Sequence, residues 1–416
     1  MKGTSLAAAL GCLCVCLFVA QVPAAAADEQ ERAPKRVGAI AFEKPEHSLY
    51  CGVIDEKNGY AYFSTTSTGP AYVIKVALGE GDAPPQRVAA LELPAGYTHA
   101  IAAVADGAKG YGYFGCNGPG DRGHVIKVKL GVGNAAPTLV GRPVSLGADA
   151  QLPMSVVIDA VRGYAYFSSR SRIIKLSLGA ADAAPKVVGS CTTLEAQRTP
   201  LRRGVIDPEK GYAYFCSFLW GTEGRIVKVK LGVGDAAPTL TGTLKLPEGK
   251  GLIGSAAIDP VHGYAYVGSY CSHTKEGIDT VTPGRIVKVK LGEGDAPPTF
   301  VNLLDVPERH FTVILADPPK GLLYLSNDLV YPSSDVVCVA FGPGDATMKR
   351  VGALKLRVGP KPWTNPKHVP KGTTNGPDLG ELHVQSGVID LTRGYAYFGT
   401  DTWPGQVIKV RLLDHP

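Results

Sequence analysis

The sequence predicts an all-β protein in which one four-strand unit occurs seven times and the units close into a ring. Three observations lead to this prediction. A Gly-Tyr dipeptide recurs about every 50 residues. The same strand-like segments, in the same order, surround each dipeptide. A strand-like segment left over near the N-terminus matches one that is missing at the C-terminus. Residues 204–231, GVIDPEKGYAYFCSFLWGTEGRIVKVKL, show the unit most clearly.

The recurring dipeptide sets the number of units. Neighbouring copies lie 51, 53, 48, 52, 58 and 73 residues apart, and in the divergent sixth copy Leu322 replaces the tyrosine. A period of this length made only of strand-like pieces is typical of arrays of small sheets, because one such unit cannot bury both of its faces alone. The glycines that mark the copies are Gly59, Gly110, Gly163, Gly211, Gly263, Gly321 and Gly394.

Each copy contains four candidate strands. The first is short and apolar and ends in Asp, as at 204–207. The second is Tyr-Ala-Tyr-Phe, whose aromatic residues favour a half-buried pleated surface. The third is Ile-Val-Lys-Val-Lys-Leu, in which apolar and basic residues alternate with period two. The fourth has the weaker pattern of residues 351–356. We interpret the third-strand lysines as solvent-exposed, so the formal net charge of +6 does not indicate a nucleic-acid surface.

The turns repeat as regularly as the strands. Between the first two strands, Asp, Pro and Gly, as at 207–211, are typical of a capped tight turn. We therefore interpret the repeated aspartates as turn caps rather than as a ring of carboxylates; they are Asp55, Asp106, Asp159, Asp207, Asp259, Asp317 and Asp390. The Leu-Gly-x-Gly-Asp-Ala-x-Pro segments at 231–238 and 291–298 occur once per unit, which favours hairpin loops over calcium-binding repeats.

Residues 1–27 have the parts of a secretory signal peptide: Lys2, an apolar run over 6–22 and small residues at 25–27. The sequence thus predicts a mature chain that starts near Asp28, a short segment over 28–35 and one repeat domain over 36–413. No later segment is long and apolar enough for a transmembrane helix. We expect a secreted protein, located outside the cell, in the lumen of the secretory pathway or in a bacterial periplasm.

The two ends of the repeat region complement each other. Residues 36–42 match the fourth-strand pattern and precede the first complete copy, whereas the last copy stops after its third strand at 407–412. Pairing these segments would complete the seventh unit and remove an open sheet edge. With this offset, and with its Gly-Tyr-Ala-Tyr-Phe and Pro-Gly-Arg-Ile-Val-Lys-Val elements, the chain resembles the seven-bladed β-propellers of the YVTN, NHL and WD40-like superfamily. The resemblance implies four-stranded blades around a central channel.

Loop variation separates the two faces of such a ring. The first-to-second and third-to-fourth turns share one face and are nearly uniform. The other connections share the opposite face and differ between blades, as at 115–124, 216–224, 268–284 and 357–386. Function on rigid scaffolds concentrates in loops of this kind. We call this second surface the variable face and expect the functional site there.

Histidines recur on the variable face. His99, His310 and His383 each lie seven residues before a turn aspartate, and His47 lies one residue further out. Because the blades that carry them are consecutive in a closed ring, the imidazoles could converge at the mouth of the channel. Such a cluster suits zinc, copper, iron or general-base catalysis. The alternative is that these are histidines of unrelated surface loops.

Aromatic and basic residues form a second candidate set on the same face. Tryptophan, tyrosine and arginine are the common hot-spot residues of interfaces, and aromatic faces also stack on sugars. Packing within the loops is the alternative role. The set comprises Tyr97, Arg198, Arg202, Arg203, Trp220, Tyr270, Arg309, Trp363 and Trp403.

Six cysteines follow the signal segment: Cys51, Cys116, Cys191, Cys216, Cys271 and Cys338. An even number suits an oxidising compartment, and six thiols allow fifteen connectivities. Loops expected to be neighbours favour Cys51 with Cys116 and Cys191 with Cys216. No CxxC pair indicates structural zinc, and the GxGxxG at 118–123 has no helix after it, so it does not indicate dinucleotide binding.

These patterns support two hypotheses about the function and do not decide between them. The first hypothesis is a monomeric secreted recognition module that binds a protein or a glycan through the variable face, without a nucleic-acid partner. The alternative is a metal-dependent hydrolase, lyase or oxidoreductase centred on His99, His310 and His383, with a transition metal as cofactor. The fold by itself does not choose, because propellers support both kinds of function.

Overall fold

A computed structural model of the chain describes residues 32–43, 45–193, 200–217, 224–247, 252–270, 273–274, 277–278, 283–328, 333–359 and 380–414. Over this part of the chain, seven four-stranded antiparallel sheets, the blades, form a ring. No helix among the described residues has the length and apolarity needed to cross a membrane. The predicted all-β class and the number of blades are confirmed.

Strands follow chain order from the channel outward in every blade except the last. A separate two-stranded hairpin, β20 (His273–Thr274) and β21 (Gly277–Ile278), lies in the connection between the second and third strands of blade 5, and a short 3-10 helix, η1 (Pro318–Lys320), forms the first turn of blade 6. The strands are: blade 1, β2 (Leu49–Asp55), β3 (Tyr60–Thr65), β4 (Tyr72–Ala77), β5 (Gln86–Glu92); blade 2, β6 (Thr98–Asp106), β7 (Tyr111–Gly118), β8 (Arg122–Lys129), β9 (Thr138–Ser145); blade 3, β10 (Ser155–Asp159), β11 (Tyr164–Ser169), β12 (Arg172–Ser177), β13 (Lys186–Thr192); blade 4, β14 (Leu201–Asp207), β15 (Tyr212–Ser217), β16 (Arg225–Lys230), β17 (Thr239–Lys245); blade 5, β18 (Leu252–Asp259), β19 (Tyr264–Tyr270), β22 (Gly284–Lys290), β23 (Thr299–Val306); blade 6, β24 (Phe311–Asp317), β25 (Leu322–Asn327), β26 (Asp335–Ala340), β27 (Lys349–Lys355); blade 7, β28 (Val384–Asp390), β29 (Tyr395–Thr400), β30 (Gln406–Arg411) and β1 (Lys35–Ala41).

Blade 7 closes the ring with strands from both ends of the described chain. β1 pairs antiparallel with β30, so that Ile40 lies opposite Val407. The predicted closing strands at 36–42 and 407–412 are therefore confirmed, each beginning one residue earlier. Arg36 strengthens the closure, since its Nε and Nη2 atoms donate to the fully buried carboxylate of Glu381 at 2.5–2.9 Å.

Apolar side chains pack between blades rather than inside one central core. The buried residues form seven clusters in the described chain, and each cluster joins two neighbouring blades. The phenylalanine of the second strand supplies much of this contact: Phe63, Phe114, Phe167 and Phe215 are fully buried. Burial between sheets explains why a single blade could not be stable by itself.

The turn aspartates cap turns, as predicted. Each lies at the end of a first strand, is buried, and accepts a hydrogen bond from the backbone N–H three residues later. Asp207 Oδ1, for example, accepts from Lys210 N at 3.0 Å. The equivalent bonds recur in all seven blades. The carboxylates thus belong to local backbone structure, on the face opposite the variable face.

Six of the seven third strands have one buried lysine, and β26 has Cys338 at the same place. This corrects the interpretation of these lysines as solvent-exposed. Lys228 Nζ donates to the carbonyls of Leu291, Gly292, Gly294 and Ala296 in the next blade at 2.6–3.1 Å. It also lies 4.3 Å from the centre of the Tyr212 ring. The same arrangement recurs at Lys75, Lys127, Lys175, Lys288 and Lys409. The carbonyl groups of the Leu-Gly-x-Gly loop therefore bind the ammonium group of the buried lysine of the preceding blade, and we call this loop the receptor loop.

The exception at Cys338 has a topological cause. The receptor loop of blade 7 would connect β30 to its fourth strand, but that strand is β1, at the other end of the chain. A lysine in place of Cys338 would thus have no loop to bind. Blade 6 instead contacts the segment after β30: Lys320 Nζ donates to Leu413 O at 2.8 Å, and Leu413 N donates to Tyr324 Oη at 3.0 Å.

Candidate binding site at the channel mouth

The inner strands of all seven blades line one cavity of about 240 Å³ in the central channel. Its wall includes Tyr50, Arg202, Arg203, Thr312 and Gln385. These residues lie near the beginnings of their strands, whereas the turn aspartates end the same strands. The cavity therefore opens toward the variable face, and we call this region the channel mouth.

Small residues keep the inner strands close together around the cavity. The glycine of the Gly-Val-Ile-Asp segment faces the aromatic ring of the second strand: a Cβ atom on Gly204 would lie 2.8 Å from the Phe215 ring, and one on Gly52 would lie 2.9 Å from the Phe63 ring. Both distances are too short for a side chain. This segment of the repeat thus sets the geometry of the channel wall.

Blade 4 contributes two adjacent arginines to the channel mouth. Arg203 reaches toward the neighbouring blades, where its Nε donates to Gly254 O at 2.8 Å and its Nη2 donates to Thr312 O at 3.2 Å. Burial lowers the pKa of Arg203 to about 9, and the positive charge of Arg202 acts in the same direction. This side of the cavity is cationic.

Blades 5, 6 and 7 contribute a buried hydrogen-bond network centred on Asp328. The carboxylate accepts from Tyr270 Oη at 3.1 Å, from Gln385 Nε2 at 2.5 Å and from His383 Nδ1 at 2.9 Å. Asp328, His383 and Gln385 are 4%, 7% and 5% exposed. Such a network holds its side chains in fixed positions, because losing any member leaves another buried polar group without its partner.

His383 carries a raised pKa within this network. Burial alone would lower the pKa of the imidazole, but the hydrogen bond to Asp328 and the negative charges of Asp328 and Asp401 outweigh it. Folding therefore shifts the His383 imidazole toward its protonated form.

Tyr50 and Asp401 continue the polar wall toward blade 1. Tyr50 Oη donates to Asp401 Oδ2 at 3.0 Å. Burial is the largest cause that raises the pKa of Tyr50; Asp401 and Asp328 raise it further, and Arg202 opposes them. The hydroxyl therefore stays protonated near neutral pH. Beside this pair, Trp403 stacks on His47 with ring centres 4.0 Å apart.

The predicted three-histidine metal site is not formed. No group of three or more His, Cys, Asp or Glu side chains in the described residues could hold a metal ion. His99, His310 and His383 recur because of a backbone feature: they have φ values of 50°, 58° and 56°, and Ser48 has 55° at the same place in blade 1. Histidine is among the residues enriched at positive φ. The three rings contact different side chains: Thr98 for His99, Tyr270 for His310 and Asp328 for His383.

The predicted binding residues divide into two groups. Arg202 lines the cavity, and Tyr270 joins the network around Asp328. Tyr97 packs edge-on against His124, Trp403 stacks on His47, and Arg309 is half-buried beside His310; none of the three lines the cavity. Arg198, Trp220 and Trp363 lie outside the described residues.

Sequence reasoning missed Tyr50, Asp328, Gln385 and Asp401. A signal for the two carboxylates was present: Asp328 and Asp401 each lie eleven residues after a turn aspartate, at the end of the second strand. Tyr270 occupies the same place in blade 5. Aligning that position across the repeat would have identified three members of the polar wall.

The predicted disulfides are not formed, since Cys51, Cys116, Cys191 and Cys216 are free thiols. Cys51 Sγ lies 2.7 Å from Ser64 Oγ, and Cys116 Sγ donates to His124 O at 3.8 Å, so each thiol has a partner within its own blade. Burial raises the pKa of Cys51 and of Cys116 to about 12. Cys271 lies outside the described residues.

Solved structures share this architecture. A protein from Lactobacillus plantarum matches with a TM-score of 0.58 and 11% identity, over 88% of this chain and 89% of its own. A candidate 6-phosphogluconolactonase from Bacteroides uniformis matches with a TM-score of 0.56 and 13% identity, over 85% of this chain and 88% of its own. U3-55K matches with a TM-score of 0.59 and 10% identity, over 91% of this chain and 100% of its own. The chain is a seven-bladed β-propeller. At these identities the likeness concerns the fold of the propeller and not its ligand.

No protein-family model matches the sequence of this propeller, and no curated protein is significantly similar to it.

The raised pKa of His383 predicts a pH-dependent stability. The contribution of the His383–Asp328 pair should be fully present below the unfolded pKa of about 6.5 and should be lost as the pH rises through the folded pKa. We expect the difference in unfolding free energy between the wild type and His383→Asn to shrink as the pH rises above 6.5. Asparagine is the chosen replacement because it tolerates the positive φ of this position. Denaturant titrations at several pH values measure this, and a difference that grows with pH would contradict it.

Proposed function

We propose that this propeller is a recognition protein that binds a carbohydrate ligand at the channel mouth. The main support for this proposal is that all seven inner strands converge on one polar cavity with room for a group about the size of a sugar ring. Arg202 and Arg203 form one side of it, and Tyr50 and Gln385 belong to the other. Pockets that bind small ligands combine a preformed wall with a few fixed polar groups of this kind.

The fixed geometry of the wall supports binding. Gln385 and His383 are held by Asp328, and Tyr50 is held by Asp401. Side chains already held in place lose little conformational entropy when a ligand arrives, which favours affinity. The alternative of a metal-dependent hydrolase, lyase or oxidoreductase has less support, because no group of three or more His, Cys, Asp or Glu side chains in the described residues could hold a metal ion.

A glycan array with matched variants tests the proposal. We expect the wild type to bind a subset of glycans and Tyr50→Phe to weaken that binding about five- to tenfold, the effect of one hydrogen bond. Tyr97→Phe is the control, since Tyr97 lies on the variable face but does not line the cavity. If Tyr97→Phe weakens binding and Tyr50→Phe does not, the ligand binds elsewhere and the proposed site is wrong.

We also propose that the protein acts after export and that residues 1–27 are removed. The support is the sequence of this segment, which lies outside the described residues. Mass spectrometry of the mature protein should give an N-terminus near Asp28. Retention of the first residues in the functional protein would overturn this proposal.

A further inference from the structure

Arg203 is a partly buried cation in a position that a ligand can reach. Its side chain lines the cavity, and Nε and Nη2 are engaged by backbone carbonyls of blades 5 and 6. Within the described chain, Nη1 makes no hydrogen bond. The two carbonyls fix the plane of the guanidinium, and a fixed guanidinium matches the geometry of an oxyanion.

No carboxylate compensates this charge in the described part of the chain. The groups that act on Arg203 are Arg202, which has the same charge, and Cys51, Tyr50 and Cys216. The two thiols are neutral near pH 7, because burial raises the pKa of each to about 12, and Tyr50 is neutral for the same reason. A buried charge ordinarily has a partner of opposite charge.

Other partly buried arginines of this protein follow that rule. Arg36 and Arg350 each pair with a glutamate, at 2.5 and 2.7 Å. Arg203 differs from them in facing the cavity, where a ligand rather than a side chain can supply the negative charge.

We propose that the ligand of the channel mouth is an acidic carbohydrate whose carboxylate, phosphate or sulfate binds Arg203. This inference rests on the proposed function and specifies its ligand class. Arg202 adds a second positive charge on the same side. The hydroxyl groups of the sugar face Tyr50 and Gln385, which line the cavity and accept hydrogen bonds through Oη and Oε1, so the two sides of the cavity recognise the two halves of one molecule.

Titration calorimetry of the full chain with matched probes tests the ligand class. The probes are glucose, glucuronate, glucose 6-phosphate, glucose 6-sulfate and inorganic phosphate. We expect the acidic sugars to bind at least tenfold more tightly than glucose, and the ranking among them identifies the type of oxyanion. This comparison uses the wild type alone, so it does not depend on whether any variant folds.

Variants at Arg203 locate the anion. We expect Arg203→Gln to weaken binding of the best acidic sugar about 10- to 100-fold, as for the loss of a charge-assisted hydrogen bond, and so to reduce its advantage over glucose. Arg203→Lys should retain part of the affinity. Arg122→Gln is the control: it removes the same charge from an exposed position near the variable face.

The outcomes separate this inference from the proposed function. Equal binding of glucose and the acidic sugars, with both weakened by Tyr50→Phe, would overturn the acidic ligand and keep the carbohydrate site. Binding of inorganic phosphate that is lost in Arg203→Gln, without binding of any sugar, would support the anion site and overturn the carbohydrate function. Absence of binding by every probe would overturn both.

Discussion

Replacement of Lys228 by methionine is expected to lower the free energy of unfolding by about 3–5 kcal/mol, the usual cost of breaking a buried, fully hydrogen-bonded charge. Methionine keeps most of the side-chain volume but leaves the carbonyls of Leu291, Gly292, Gly294 and Ala296 without their common donor. Unpaired buried carbonyls retain the full cost of their desolvation. Denaturant unfolding followed by circular dichroism measures the change.

Lys230→Met is the matched control, because Lys230 lies two residues later on β16 with about half of its side chain exposed. Its pair with Asp295 is a surface ion pair, and we expect a change of about 0.5 kcal/mol or less. Equal effects of the two substitutions would contradict the role assigned to the buried lysine. So would a Lys228→Met protein that is as stable as the wild type.

Replacement of Arg36 by methionine is expected to cost about 3 kcal/mol of unfolding free energy. The arginine neutralises Glu381, whose side chain is fully buried. Among the described residues, this carboxylate also accepts from the backbone N–H of Arg357 at 3.0 Å and lies 3.7 Å from Nε of the same residue, whose side chain is about half exposed. Arg36 belongs to β1 and Glu381 precedes β28, so the pair ties the closing strand to the inner strand of the same blade. Thermal and denaturant unfolding measure the effect.

Arg411→Met provides the comparison within blade 7. Arg411 lies on β30 and pairs with Asp82, but both side chains are about two-fifths exposed. Since exposed ion pairs contribute about 0–1 kcal/mol, this substitution should change stability little. If Arg411→Met destabilises the protein as much as Arg36→Met does, burial of the Glu381 pair does not strengthen ring closure.

Local patterns were sufficient to predict the fold. The strands, the turns and the closure of the ring depend on side-chain alternation and on turn residues, which are properties of neighbouring positions. The capped turn at Asp207 and the pairing of β1 with β30 were predicted for this reason. The third-strand lysines were misinterpreted because alternation shows which side chains share a face of the sheet, but not whether the next blade covers that face.

The candidate site was predicted less well, because its members come from different blades. Arg202 and Tyr270 were recognised by residue type, whereas Tyr50 and Gln385 look like ordinary strand residues in sequence. The histidines repeat at a fixed position, yet the cause is a shared positive φ rather than a shared ligand. A repeated residue can therefore mark a backbone requirement and resemble a functional motif.

The sequence by itself determined that this chain forms seven four-stranded blades and that its two ends complete the last one. Periodicity, turn residues and the displaced fourth strand are local properties, and they are readable without coordinates. Only the tertiary structure decided which side chains meet. The pairing of Lys228 with the next blade and the approach of Arg203 to Thr312 depend on how neighbouring sheets are placed, and a strand pattern does not show which face of a sheet the next blade covers.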